Sequence, residues 1–141
     1  MLGHGEYDIQ LSNNVLYVRA EGGWNLQTAE AFAKDYKEIS TPVTSEKWAV
    51  FNDFRAWELA PPDTNPVIQN LIQWIFDHGQ MASVYLTAPS SVKIFQWTEM
   101  LAGSTIPKGY QFLRTERFDD AVNWLESLNY PIDKKLLGIN P

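Results

Sequence analysis

The sequence predicts a single α/β domain built on a mixed sheet of about five strands with four helices. Three observations lead there. Short apolar runs alternate with four amphipathic helical segments along the chain. The later runs are separated by helical patterns of roughly ten to fifteen residues, the spacing of crossover connections in a parallel sheet. The first two runs are instead joined by a tight polar turn, so the sheet opens on an antiparallel hairpin.

Each element has its own signal. Ile9 to Leu11 and Val15 to Ala20 flank Ser12-Asn13-Asn14, a turn-forming cluster, and make the hairpin. Gly22-Gly23 ends the second strand, and Asn25 is placed to cap a helix. From Leu26 the residues Ala29, Phe32, Ala33, Tyr36 and Ile39 recur three and four apart, a one-sided helix that ends near Ser40 because Pro42 forbids continuation. Trp48 to Phe51 is continuously apolar, as a strand covered on both faces is. A long loop, Arg55 to Thr64, carries Pro61-Pro62, and Asn65-Pro66 supplies the cap and first-turn proline of a second helix. That helix stops at His78-Gly79. Met81 to Thr87 is the next strand, and Ser90 caps a third helix that runs to Ala102 and stops at Gly103. Tyr110 to Leu113 is the last strand. Phe118, Ala121, Val122, Leu125 and Leu128 mark the last helix, which Asn129 and Pro131 end. Residues 6–131 form the domain, and 132–141 read as a C-terminal tail. The expected core comprises Leu16, Val18, Ala33, Val50, Phe51, Val84, Leu86, Phe112, Val122 and Leu125.

Composition removes several function classes. A net charge of −6 argues against nucleic acid, which needs a positive footprint, and against electrostatic adsorption to anionic lipid. The absence of Cys removes disulfides, thiolate nucleophiles and zinc–thiolate sites. Met1 to Tyr7 is polar, with Glu6 and then Asp8 as charges, and reads as neither a signal peptide nor a lipidation signal, and no apolar run approaches the length of a spanning helix. A cytoplasmic location is expected.

The strand ending Val50-Phe51-Asn52-Asp53-Phe54, the long loop into a helix, and the helix start Arg117-Phe118-Asp119-Asp120-Ala121-Val122 resemble the STAS domain, and more closely its SpoIIAA-like branch. The resemblance runs from about Tyr7 to Tyr130 and rests mostly on element order. It implies a mixed sheet with helices packed on it, and a role as an anti-sigma factor antagonist-like interaction module or, through similarity to SEC14-type carriers, as a binder of hydrophobic ligands. STAS antagonists carry a phosphorylatable Ser in an Asp-Ser-Ser-Gly turn at the head of the second helix. Here that loop reads Ala60-Pro61-Pro62-Asp63-Thr64-Asn65-Pro66, and the Asp-Ser-Ser-Gly turn is absent. Thr64 is the only hydroxyl nearby, Asp63 at most imitates a phosphate, and Asp63, Thr64 and Asn65 read as capping residues.

Chemistry-bearing clusters are sparse. His4 and His78 lie far apart without partners at ligand spacing, so no metal site is expected. No Ser–His–acid set, phosphate-cradling glycine pattern or cofactor motif is present, and no catalytic residue is expected. Asp53 stands out because it follows a buried strand at its carboxyl end, the edge where ligands gather in open α/β sheets. The apolar residues of the second helix, Val67, Ile68, Leu71, Ile72, Trp74, Ile75 and Phe76, cover an arc of roughly 200° at 100° per residue. An arc of about 100° is enough for a helix lying on a sheet. The third helix shows the same surplus, which leaves three destinations: helix–helix packing, a ligand pocket, or a second subunit or membrane surface.

The reading is a non-enzymatic binding module carrying a small hydrophobic or lipid-like ligand. Trp74, Ile75, Phe76, Phe95, Trp97 and Met100 form its wall, and Asp53, Arg55, Trp57, Asp63, Thr64 and Lys93 its loop and polar anchors. Opening of the loop would allow transient membrane contact or a homodimer. The alternative is an antagonist-like module that binds a regulatory protein without the phosphoserine switch, with Trp57 as its apolar anchor or else as a core plug beneath the loop.

Overall fold

The computed structural model describes residues 6–58, 60–89 and 105–137. Strands β1 (Glu6–Ser12) and β2 (Val15–Gly22) form the antiparallel hairpin, with Ser12 facing Val15 across Asn13-Asn14. Asn13 takes a φ of 54°, a left-handed conformation that Asn tolerates better than other residues bearing a Cβ. Helix α1 (Leu26–Ser40) is capped by Asn25, whose side chain accepts the Thr28 amide at 2.9 Å. A short 3-10 turn, Thr41–Val43, leads to β3 (Trp48–Trp57), and a second, Pro62–Thr64, leads to α2 (Asn65–Asp77). There follow β4 (Gln80–Leu86), β5 (Gln111–Thr115), α3 (Phe118–Ser127) and a single turn of helix, α4 (Lys134–Leu137). The helix expected from Ser90 to Ala102 lies outside the described residues.

The sheet order is β1-β2-β3-β4-β5, with every pair after the first parallel. Strand alternation splits the core in two. On one face Leu16, Val18, Val50 and Tyr85 meet Phe32 and Tyr36 of α1 and Leu71, Ile72 and Ile75 of α2. On the other, Tyr17, Phe51, Val84 and Leu86 meet Val122 and Leu125 of α3. Among the described residues no helix is long and apolar enough to cross a membrane.

Three local expectations are corrected. Strand β3 does not end near Phe54: it continues to Trp57 by pairing with the end of β2, past the last β4 partner at Asp53–Leu86. Between Asp53–Arg19 and Ala56–Glu21 the register slips, three steps on β3 against two on β2. A bulge of this kind reverses which face later residues take. It turns Trp57 into the core, where it is 2% exposed against Trp24 and Phe54, so neither Arg55 nor Trp57 belongs to the loop. Second, Thr64 rather than Asn65 occupies the N-cap of α2. Third, Phe112 is 52% exposed, because β5 is an edge strand and α3 covers its opposite face.

Beyond α3 the chain returns to the hairpin. The Asp133 carboxylate accepts the Ser12 hydroxyl at 2.9 Å, and its amide donates to the Tyr17 hydroxyl at 2.7 Å. Leu136 packs on the α3 side of the sheet.

Candidate functional site

Parallel strands end at a common edge, and the side chains there come from consecutive loops and helix starts. Asp53 sits at that edge on β3, in register with Arg19 and Leu86 on its two sides. Arg55 curls back over the bulge and grips it in a fork, Nε to Oδ1 at 3.0 Å and the terminal nitrogen to Oδ2 at 2.8 Å. The Arg55 amide also donates to Oδ1 at 3.2 Å. Hydrogen bonding to this carboxylate holds the guanidinium above its ordinary pKa, against a smaller opposing effect of burial. With both oxygens engaged, Asp53 serves as one half of a fixed ion pair rather than as a free base.

Beside this pair lies an open crevice of about 50 Å³ on the α3 side of the sheet. Asp8 and Gln10 of β1 border it, with Tyr17 and Arg19 of β2 next to them and Phe118 at the start of α3 opposite. Leu136 of α4 closes the remaining side. Tyr17 stacks on Phe51, with ring centres 6.4 Å apart, and Phe51 meets Phe118 at 5.9 Å, so the floor is aromatic. None of Asp8, Gln10, Tyr17, Arg19, Phe118 or Leu136 was expected as a site residue. The signal lay in strand alternation: Asp8 and Gln10 share a face, and the hairpin register sets that face against Tyr17 and Arg19. The contribution of Leu136 had no counterpart in pattern or spacing.

The turn ahead of α2 is the second candidate region. Thr64 is completely buried, and its hydroxyl donates to the Pro61 carbonyl at 2.7 Å, while Asp63 is exposed. Asp63 and Thr64 are therefore adjacent but face different environments. Of the residues assigned to a pocket wall, Ile75 and Phe76 are buried in the core. Trp74 is half-buried and stacks on His78 at 4.2 Å. Phe95, Trp97, Met100 and Lys93 lie outside the described residues. Between α2 and the sheet a space of about 10 Å³ is bordered by Tyr36, Asn52, Gln80, Tyr85 and Tyr110, roughly the room of one water molecule. Gln80 donates to the Tyr36 hydroxyl at 2.9 Å and accepts from Tyr110 at 3.2 Å, and Tyr110 shares a 2.5 Å hydrogen bond with Ser83. Among the described residues no group of three or more His, Asp or Glu is placed to hold a metal ion.

An antiparallel opening hairpin, parallel crossovers in sequential strand order and helices on both faces define a SpoIIAA-like fold of the kind seen in anti-sigma factor antagonists. Two solved structures carry that assignment. One is a protein of the DUF3478 family with a SpoIIAA-like fold from Shewanella loihica PV-4, with a TM-score of 0.64 and 14% identity over 89% of this chain and 96% of its own. The other is an anti-sigma factor antagonist from Mycobacterium paratuberculosis, with a TM-score of 0.54 and 14% identity over 86% of this chain and 94% of its own. No protein-family model and no curated protein matches the sequence.

Proposed function

We propose that this chain is a non-enzymatic protein-interaction module of the antagonist type, working without a phosphorylation switch at the head of α2. The observation that carries this reading is the Pro61–Thr64 turn, which lacks an exposed hydroxyl. Its Thr64 is buried and hydrogen-bonded to Pro61, and two prolines restrict its backbone. A turn held in this way presents Asp63 and the polar outer face of α2, including Asn70, in one constant conformation. Preorganisation of that kind lowers the entropic cost of docking. The partner is a regulatory protein, as the likeness to an anti-sigma factor antagonist supports.

The test is site-specific photo-crosslinking in cells of the source organism, with benzoylphenylalanine placed at Asp63 or, as a control, at the exposed Glu30 of α1. A discrete adduct from position 63 alone is expected. No adduct, or the same adducts from both positions, would defeat the reading.

The second reading is a hydrophobic ligand held between α2 and the segment after Ser90, with membrane contact during loading. The half-buried Val67 and Trp74, which pack only in part against the core, favour it. Binding of a fluorescent fatty-acid probe by the native chain and its loss in Trp97→Ala would support this reading, and an inert native chain would end it.

A further inference from the structure

The crevice beside Asp53 is unusual in how its charges are partnered. Arg19 faces Asp8 across the hairpin register and is its natural counter-ion, yet its Nε lies 3.0 Å from Glu21 instead. Arg55 is committed to Asp53. Among the described residues Asp8 is left with one neutral contact, the Gln10 amide at 2.9 Å, and no ion pair. The crevice therefore carries one carboxylate in excess above an aromatic floor. Its volume of about 50 Å³ is that of roughly three to five water molecules. That is too small for a fatty chain and about right for a planar head of four heavy atoms.

A negative rim beside the half-buried Phe118 ring favours a cation, and a flat, weakly hydrated guanidinium suits stacking there better than a compact ammonium. Arg55 already shows the arrangement, lying 5.9 Å from the centre of the Phe118 ring. The crevice lies on the α3 face of the sheet and α2 packs on the opposite one, so a partner that engages both surfaces wraps around the end of the sheet. We propose that the Asp8 crevice is an arginine-reading pocket that takes a guanidinium side chain from the protein partner, an assignment resting on the interaction-module reading above. Leu136 supplies the apolar wall along which the methylene stem lies.

The experiment is an amide NMR titration of the full chain with N-acetyl-arginine methylamide, run beside the citrulline analogue, which has nearly the same shape and no charge. Weak, saturable shifts confined to Asp8, Gln10, Phe118 and Leu136 are expected for the arginine compound alone. Asp8→Asn should weaken them about fivefold, the size of a partly exposed charge pair, while leaving the remaining spectrum in place. Equal shifts with citrulline, or undiminished binding by Asp8→Asn, would overturn the assignment. Should crosslinking at position 63 succeed while the arginine compound gives no shifts, the pocket alone is refuted. Arginine-specific shifts without any crosslinked partner would refute the interaction module and leave a guanidinium site standing.

Discussion

Trp57→Ala separates a core residue from an interface anchor. The indole is 2% exposed, with ring centres 5.7 Å from Trp24 and 5.6 Å from Phe54, and it closes the end of the cluster that also holds Phe32. Emptying a buried aromatic site costs about 3–5 kcal/mol. The upper half of that range is expected here, because two ring contacts are lost and the β3 bulge fixes the backbone that would otherwise collapse inward. A chain of this size has a urea m-value of about 2 kcal/mol/M, so the unfolding midpoint should fall by roughly 2 M with m unchanged. Trp57→Phe keeps most of the apolar volume and should recover more than half of the loss. Equilibrium urea unfolding followed by far-UV circular dichroism reads both variants. A midpoint shift below about 0.5 M for Trp57→Ala would mean that the indole is not holding the core, and would return it to the docking surface.

Three further outcomes follow from single contacts. Gly79 has a φ of 94°, and a Cβ there would lie 2.7 Å from the Glu46 carbonyl oxygen, so Gly79→Ala should cost at least about 1–3 kcal/mol in backbone strain, read by thermal unfolding. Tyr36→Phe removes the acceptor of the buried Gln80 amide and should cost about 1–3 kcal/mol; an effect near zero in urea unfolding would show that the amide finds another partner. Burial, then the hydrogen bond that the Tyr7 hydroxyl donates to Asp35, push the Tyr7 pKa up to about 12, so its phenolate absorbance should appear well after those of ordinary tyrosines. The unfolded chain gives up this proton near pH 10, so the contribution of Tyr7 to stability is complete below pH 10 and is lost as the pH rises to about 12. Tyr7→Phe should flatten that part of the stability profile.

Periodicity made the sheet readable because most elements obey it. Asn25 caps α1, Asn13 turns the hairpin, and Gly79 ends the connection after α2, each for a local reason visible in a few residues. Trp57 can be read as a core plug but is placed in the loop for the opposite reason: its position on β3 and its direction are set by a register slip against β2, a non-local event with no composition of its own. Phe112 failed because strand propensity does not say whether a helix will cover that face at the sheet edge. The site divided in the same way. Asp53 reads as the end of its strand, but β3 runs on to Trp57 and only its pairing with β4 stops there, and the crevice needs the β1–β2 register and a segment from beyond α3 to be known together.

The clasp between Asp133 and the hairpin has a consequence for biosynthesis. Ser12 and its partner are 121 residues apart, and the Tyr17 contact spans 116. At about 5–20 residues per second, roughly 6–24 s separate the emergence of the hairpin from that of the residue that ties it down. Throughout that interval the hairpin lacks this clasp and is held by its own pairing and by α1, against which Tyr7 packs through Phe32 and Asp35. The Leu136 wall of the crevice is also missing until then, so the crevice is incomplete before residue 136 is made. On the arginine-pocket proposal, recognition through this face waits until residues 133–136 have been made, a form of quality control written into the connectivity itself.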